Sequence, residues 1–257
     1  MVIVYENVHA EDCPMNRPKM ILFDYGNTLV HEASWSILRG LKALWPYLRE
    51  NPKNYTPETF EPIAYETIKR SWECVKQGYE IPERAFMHAA FDPAGLVFDL
   101  SDDDIELIYF NASIPPTVIP GVPEALAFCR SEGIRTAVVS NLSYDARTLE
   151  RRLKQLIPDH DFEFVIASSN LFFRKPHPAM MGAALEKAKL DPADVWFVGD
   201  NYHADIAPSP SLGMVPVWFE YEHASFYHVD PFEEEPPFPC LRVTSMQGLV
   251  DTIKMVR

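Results

Sequence analysis

The chain has 257 residues and a mass of 29.4 kDa, enough for a full core with room for an insertion, and its 47% hydrophobic and 23% charged residues are those of a globular protein, not a disordered one. A formal net charge of −14 argues against a reader of phosphate backbones, whose affinity comes from Lys and Arg, so no nucleic-acid partner is expected. Cys13, Cys74, Cys129 and Cys240 stand far apart without a CxxC pair, which argues against zinc and disulfide frameworks, and no apolar run approaches the length of a membrane span.

Taken in chain order, residues 1 to 18 offer only a strand at Val2 to Tyr5, and no basic, apolar leader. A cytoplasmic protein with no membrane partner is therefore expected. Met20 to Phe23 is a short apolar run that stops on Asp24 and turns at once through Gly26 and Asn27, the pattern of a buried strand delivering a side chain at its carboxyl end. Trp35, Leu38, Leu41, Leu44, Trp45 and Leu48 then recur at helical spacing, and no strand is evident before Pro120. This stretch of roughly 90 residues is far too long for a loop, so it is expected to fold as a helical lid.

Beyond it, strands at Thr136 to Val139, Phe164 to Ala167, Val195 to Val198 and Val215 to Phe219 alternate with helices at Val122 to Glu132, Tyr144 to Leu156 and Pro178 to Ala188. Pro208 and Pro210 interrupt the helix that should follow Asp205, which predicts a short or displaced one. HASFYHVDPFEEEPPFPC reads as an irregular surface excursion, before a last strand at Leu241 to Val243 and a helix at Met246 to Met255. The alternation predicts an α/β protein: a doubly wound, Rossmann-like parallel sheet from residues 1–30 and 118–257, with a helical cap subdomain inserted at 31–117.

Four segments carry the chemistry: ILFDYGNTL, TAVVSNLS, FRKPHP and VWFVGDNYHAD. Three follow an apolar run directly and the third precedes a helix. Strand ends of a parallel sheet share one edge, so Asp24, Ser140, Lys175 and Asp200 should converge. Each segment alone has an ordinary reading as a cap or turn. Together, at these spacings, they resemble the haloacid dehalogenase-like superfamily, mostly phosphatases, over roughly residues 19 to 220.

The resemblance implies a nucleophilic Asp24 that takes a phosphoryl group and a Mg2+ ion held by Asp24, the backbone carbonyl of Gly26 and Asp200, with Asp205 supporting the metal or Lys175. It implies that Ser140, Asn141 and the backbone N–H groups of Tyr25, Gly26 and Asn27 grip the phosphoryl oxygens, while Lys175 offsets their charge. The substrate class it implies is a small phosphorylated metabolite. Two positions depart from the family pattern DxDGT: Asn27 stands where the pattern has Gly, and Gly26 stands where the second Asp protonates the leaving group and activates water, a contribution of about 10² to 10⁴-fold.

An acid from elsewhere is then required, and His31 and Glu32 at the mouth of the lid are the nearest titratable groups, although a solvated role is the ordinary reading of each. The alternative from another class is a phospho-ligand binding protein that has lost turnover. A phosphonatase would need a lid lysine such as Lys42, and a dehalogenase would leave Asp200 and Asp205 without purpose. Trp35, Arg39, Trp72 and Arg84 are candidate pocket residues on the lid, with core packing or a solvated face as the plainer alternative.

Overall fold

Strand β1 (Met20–Phe23) is buried along its whole length, and its side chains alternate between two apolar layers. Ile21 and Phe23 join the larger core, while Met20 and Leu22 join the smaller. Burial on both faces is what a continuous apolar run, without polar alternation, specifies. A computed structural model describes residues 16–221 and 236–256. The strand expected at residues 2–5 and most of the proline-rich excursion lie outside the described residues; 236–240 carries no regular element.

After β1 the chain forms a short strand β2 (Val30–Glu32) and enters the insertion: α1 (Ile37–Leu44), β3 (Leu48–Glu50), α2 (Pro57–Lys69), α3 (Trp72–Lys76), α4 (Glu83–Ala94), β4 (Val97–Phe98) and α5 (Asp102–Ser113). It returns through β5 (Pro116–Val118). Then follow α6 (Val122–Ser131), β6 (Arg135–Ser140), α7 (Ala146–Leu156), β7 (Val165–Ala167), α8 (Pro178–Ala188), β8 (Val195–Gly199), β9 (Val215–Phe219), β10 (Leu241–Val243) and α9 (Met246–Met255).

The main sheet has the order β10-β9-β8-β1-β6-β7, parallel throughout. From β1 the chain fills one side, β6 then β7, and afterwards crosses back to build β8, β9 and β10 on the other. Phe23 is in register with both Val138 and Val198, so the carboxyl ends of β1, β6 and β8 lie side by side at the point where strand order reverses. That crevice is where open α/β sheets bind ligands.

The insertion is helical because α1, α2, α4 and α5 each carry an apolar face and a defined start. Ser36, Thr56 and Ser101 cap α1, α2 and α5 by accepting from the backbone N–H three residues on, and Thr56 forms a reciprocal capping box with Thr59. Gly40 lets α1 approach α5 closely, since a Cβ there would lie 2.4 Å from the Tyr109 ring. The buried face of α1 is Ile37, Gly40, Leu41 and Leu44; of the expected stripe Leu41 and Leu44 lie on it, Leu38 is half-buried, and Trp35, Trp45 and Leu48 pack against the core from beyond the helix, which ends at Leu44 in a 3₁₀ turn.

The expectation of no strand in this region is corrected. Val30–Glu32 pairs antiparallel with Pro116–Val118 at the root of the insertion, and Leu48–Glu50 pairs with Val97–Phe98 within it. Strands of two or three residues show no alternation, and each exists only because a distant partner is brought to it. After Asp205 the expected helix is a five-residue π turn, Tyr202–Ile206, followed by a 3₁₀ turn at Pro210–Leu212, as Pro208 and Pro210 require. No helix among the described residues is long and apolar enough to cross a membrane.

Candidate active site

Asp24 is the first residue past β1, and its backbone N–H donates to Val198 O at 2.9 Å, fixing it between the tips of β1 and β8. The chain then turns sharply: the N–H groups of Leu29 and Val30 both donate to Tyr25 O, and Asn27 takes the left-handed backbone at φ 56° that Asn tolerates. The Tyr25 ring points away into the apolar core, edge-on to Phe110, so what this residue offers the crevice is backbone. Gly26 is half-buried in the turn and bridges to Val30.

Lys175 reaches this point from the loop between β7 and α8. Its buried ammonium lies 2.7 Å from Asp24 Oδ1 and 2.7 Å from Asp205 Oδ1, and donates to Val139 O at 2.9 Å. Asn141 holds the lysine's backbone from both sides: Nδ2 donates to Lys175 O at 3.0 Å, and Lys175 N–H donates to Oδ1 at 2.6 Å. The Asn141 side chain is thus committed to the lysine loop in this arrangement. Ser140 is buried at the tip of β6, the neighbour of β1.

Asp200 follows β8, and Trp218 Nε1 on the adjacent β9 donates to its carbonyl at 3.0 Å. Asp205 sits in the π turn, where its Oδ2 accepts from Asn201 N–H at 3.1 Å and its own carbonyl accepts from Ser209 Oγ at 2.6 Å. Asp24, Asp200 and Asp205 bring one carboxylate oxygen each to within 4.8 Å of one another.

These charges do not balance. Three carboxylates face a single ammonium in a buried crevice, so burial and the proximity of Asp24 and Asp205 push Asp200 well above the usual carboxylate range. Burial pushes Asp205 up to about 6, with Lys175 opposing and Asp24 reinforcing the rise. Burial also works against the Lys175 charge, but Asp205 and Asp24 outweigh it and its affinity for the proton increases. An uncompensated oxygen-only cluster of this kind suits a hard divalent cation. Among the described residues it is the cluster that could hold a metal ion.

A family model described as haloacid dehalogenase-like hydrolase matches residues 18–209, well over half of the chain. The chain belongs to the haloacid dehalogenase-like hydrolases. Relatives of this hydrolase include haloacid dehalogenase-like hydrolase domain-containing protein 3 of Xenopus laevis, 36% identical over 38% of this chain and 38% of that protein, and glyceraldehyde 3-phosphate phosphatase of Pyrococcus abyssi, 32% identical over 40% and 42%. These matches therefore span less than half the length of the relatives concerned. Phosphoglycolate phosphatase of Pseudomonas putida is 24% identical over 87% of this chain and 76% of its own. In fold, the hydrolase is similar to a 2-haloacid dehalogenase from Pseudomonas syringae, with TM-score 0.60 and 19% identity over 93% and 100% of the two chains, and to a phosphatase from Thermococcus onnurineus, with TM-score 0.57 and 20% identity over 91% and 97%.

The lid residues of this hydrolase do other work than the sequence suggested. Glu32 is not the solvated side chain expected: it and Arg152 are fully buried and paired at 2.9 Å, which commits its carboxylate to structure. His31 lies half-buried on β2, opposite Thr117. Arg39 donates to the carbonyls of Ser34, Ala112 and Ser113, tying together the two ends of the insertion. Trp35 packs against the apolar core, Arg84 pairs with Asp103 and Glu106, Lys42 pairs with exposed Glu58, and Trp72 is exposed and edge-on to Tyr65.

Three groups that sequence reasoning missed are buried acids of the insertion: Glu80, Glu83 and Glu106. Glu80 meets Ser168 and Arg174, Glu83 accepts from Ser143 Oγ at 2.9 Å, and Glu106 accepts from Thr148 Oγ1 and from Asp145 N–H. All their core partners follow β6 or β7. The available signal was weak: an acid in a turn (Glu80), at a helix start (Glu83) or within a helix (Glu106) is ordinarily solvated, and only the docked insertion buries these.

Proposed function

We propose that this hydrolase is a magnesium-dependent phosphatase of small phosphorylated metabolites, acting through a phosphoryl group carried on Asp24. The observation that supports this most directly is a strand-tip carboxylate 2.7 Å from a buried ammonium and beside two further carboxylates, at the reversal point of the sheet. Asp24, Asp200 and the Gly26 carbonyl would hold the metal, with Asp205 in support; the ion, when bound, supplies positive charge against which two anions can approach. Relatives named phosphoglycolate phosphatase and glyceraldehyde 3-phosphate phosphatase favour a small phosphorylated substrate. Free thiols at Cys74, Cys129 and Cys240 accord with a cytoplasmic setting. The domain division falls in the β2–β5 ribbon, with residues 31–117 as the lid.

Asp24 attacks phosphorus, a bond forms from its carboxylate oxygen, and the ester P–O bond breaks with its electron pair going to the leaving oxygen. Lys175 and the backbone N–H groups of Tyr25, Gly26 and Asn27 stabilise the spreading negative charge, with Ser140 and Asn141 beside them. Water then attacks phosphorus, the P–O bond to Asp24 breaks, and the carboxylate is regenerated with inorganic phosphate. Gly26 can neither protonate the leaving oxygen in the first step nor take a proton from water in the second. An activated aryl oxygen departs as its anion and is protonated by solvent, whereas the attacking water must lose its proton to solvent unaided, so with such a substrate hydrolysis of the phosphorylated Asp24 is slow relative to its formation.

The test incubates the protein with magnesium and an activated aryl phosphate. Phosphate release should fall by about 10³-fold or more in Asp24→Asn, which removes the nucleophile. Rapid-quench labelling of the wild type should show phosphoenzyme accumulating at high substrate; its absence sinks the account of Gly26. Ligand binding without release would favour the second reading, a phospho-ligand binding protein, whose one supporting feature is Gly26.

A further inference from the structure

The turn joining α3 to α4 is where the insertion meets the loops that carry Lys175 and Asn141. Gly78 takes a left-handed backbone at φ 83°, and the chain then runs antiparallel to residues 172–174. Arg174 N–H donates to Gly78 O and Glu80 N–H donates to Phe172 O, each at 2.9 Å, with Tyr79 bridged to Phe173. The Glu80 side chain is buried at this junction. Its Oε2 pairs with the Arg174 guanidinium and accepts from Ser168 Oγ at 2.6 Å, and the same Ser168 oxygen accepts from Leu142 N–H at 2.8 Å.

One carboxylate oxygen from the insertion therefore connects the residue before Lys175 with the residue after Asn141. Their chain neighbours Lys175 and Asn141 are themselves joined, side chain to backbone, by paired hydrogen bonds. We propose that Glu80 is a positioning residue for the catalytic centre, whose docking sets the Asn141–Leu142 and Arg174–Lys175 backbones and so aims the lysine at Asp24. The Lys175 ammonium sits at the end of a flexible four-carbon stem, so the distance it keeps from Asp24 depends on where its backbone is held. A buried carboxylate is costly to leave unpaired, which makes this contact either fully made or released as a unit.

Glu106, another acid of the interface, acts as an internal control. Glu106 engages Asp145 N–H and Thr148, at the start of α7, instead of the lysine loop. A role confined to fastening the lid would give Glu80 and Glu106 similar weight in turnover, whereas positioning makes them differ.

The kinetic arm rests on the phosphatase reading, and a second arm is independent of it. With magnesium and an aryl phosphate, Glu80→Gln keeps side-chain size and an acceptor for Ser168 but loses the charge facing Arg174. It should lower kcat about tenfold or more while KM moves by less than about threefold. Arg174→Gln should lose a similar amount, and the double variant no more than either alone, because both act through one contact. Glu106→Gln should keep kcat within about twofold and lose thermal stability instead. Amide hydrogen exchange, which needs no turnover, should be about tenfold faster in Glu80→Gln at residues 140–143 and 173–176, and unchanged there in Glu106→Gln. Equal kcat losses in Glu80→Gln and Glu106→Gln, additive losses in the double variant, or unaltered exchange in those two segments would overturn the proposal. If the wild type turns over no phosphate ester, the phosphatase reading fails and the exchange result alone decides this one.

Discussion

Gly199 ends β8 next to Asp205, and a Cβ built on it would lie 2.4 Å from the Asp205 Oδ2 oxygen, closer than any real contact allows. A side chain at this position must displace either the strand tip or the carboxylate that holds Lys175. Gly199→Ala is therefore expected to cost about 1–3 kcal/mol of stability and to weaken magnesium binding about tenfold or more, both read from thermal unfolding with and without magnesium. Asp200 makes the opposite kind of prediction. Its carboxylate is raised by burial and by Asp24 and Asp205, so its charge destabilises the metal-free fold. Asp200→Asn should raise the unfolding temperature in EDTA and abolish the gain that magnesium gives the wild type, a gain of about 2.7 kcal/mol at a concentration of 100 times Kd. A variant that still gains from magnesium would remove Asp200 from the ligand set.

At the scale of elements, the β2–β5 ribbon is held to the core by a fully buried ion pair. Arg152 on α7 pairs with Glu32 on β2, donates to the carbonyls of Phe110 and Ile114 at the end of α5, just before β5, and lies 3.6 Å from the Phe110 ring centroid. Arg152→Met leaves Glu32 buried without its cation and should cost about 3–5 kcal/mol in urea unfolding, most of which the double variant Glu32→Leu/Arg152→Met should recover. Failure to recover would mean that the arginine's backbone contacts, more than its charge, hold the ribbon. Glu83 gives a pH-dependent counterpart. Burial, against the favourable Ser143 hydrogen bond and with Glu106 and Glu80 nearby, raises its carboxyl to about 7 from 4.5, and burial together with its charge in turn raises the Tyr109 and Tyr144 hydroxyls. A raised carboxyl binds its proton more tightly folded than unfolded, so stability is lost as pH climbs from about 4.5 to about 7. Glu83→Gln should be the more stable protein above pH 7, by on the order of 3 kcal/mol at most, with the difference vanishing below pH 4.5. Unfolding measured across that range checks both sign and window.

For the whole molecule, the order β10-β9-β8-β1-β6-β7 converts four separated segments into one site. Asp24, Ser140 and Asp200 leave three adjacent strands, and Lys175 arrives from the loop after β7. The insertion, anchored at its root by the ribbon, touches the core again at Glu80, Glu83 and Glu106, over the loops that follow β6 and β7. The lid is thus fastened at two places, one of them beside the lysine loop.

The sequence by itself determined the sheet's strands and the turn that follows Asp24, because fully buried parallel strands are apolar runs that turn residues must end, and β1, β9 and β10 lie where those runs do. It also determined the acids, since Asp24, Asp200 and Asp205 each sit at a strand end or just beyond it. The paired strands β2 and β5, the burial of Glu32 with Arg152, and the meeting of Glu80 with Ser168 and Arg174 were decided only by tertiary structure. Each joins residues far apart in the chain, and a short polar or three-residue segment carries no periodicity that could announce a partner reached solely when the insertion folds back.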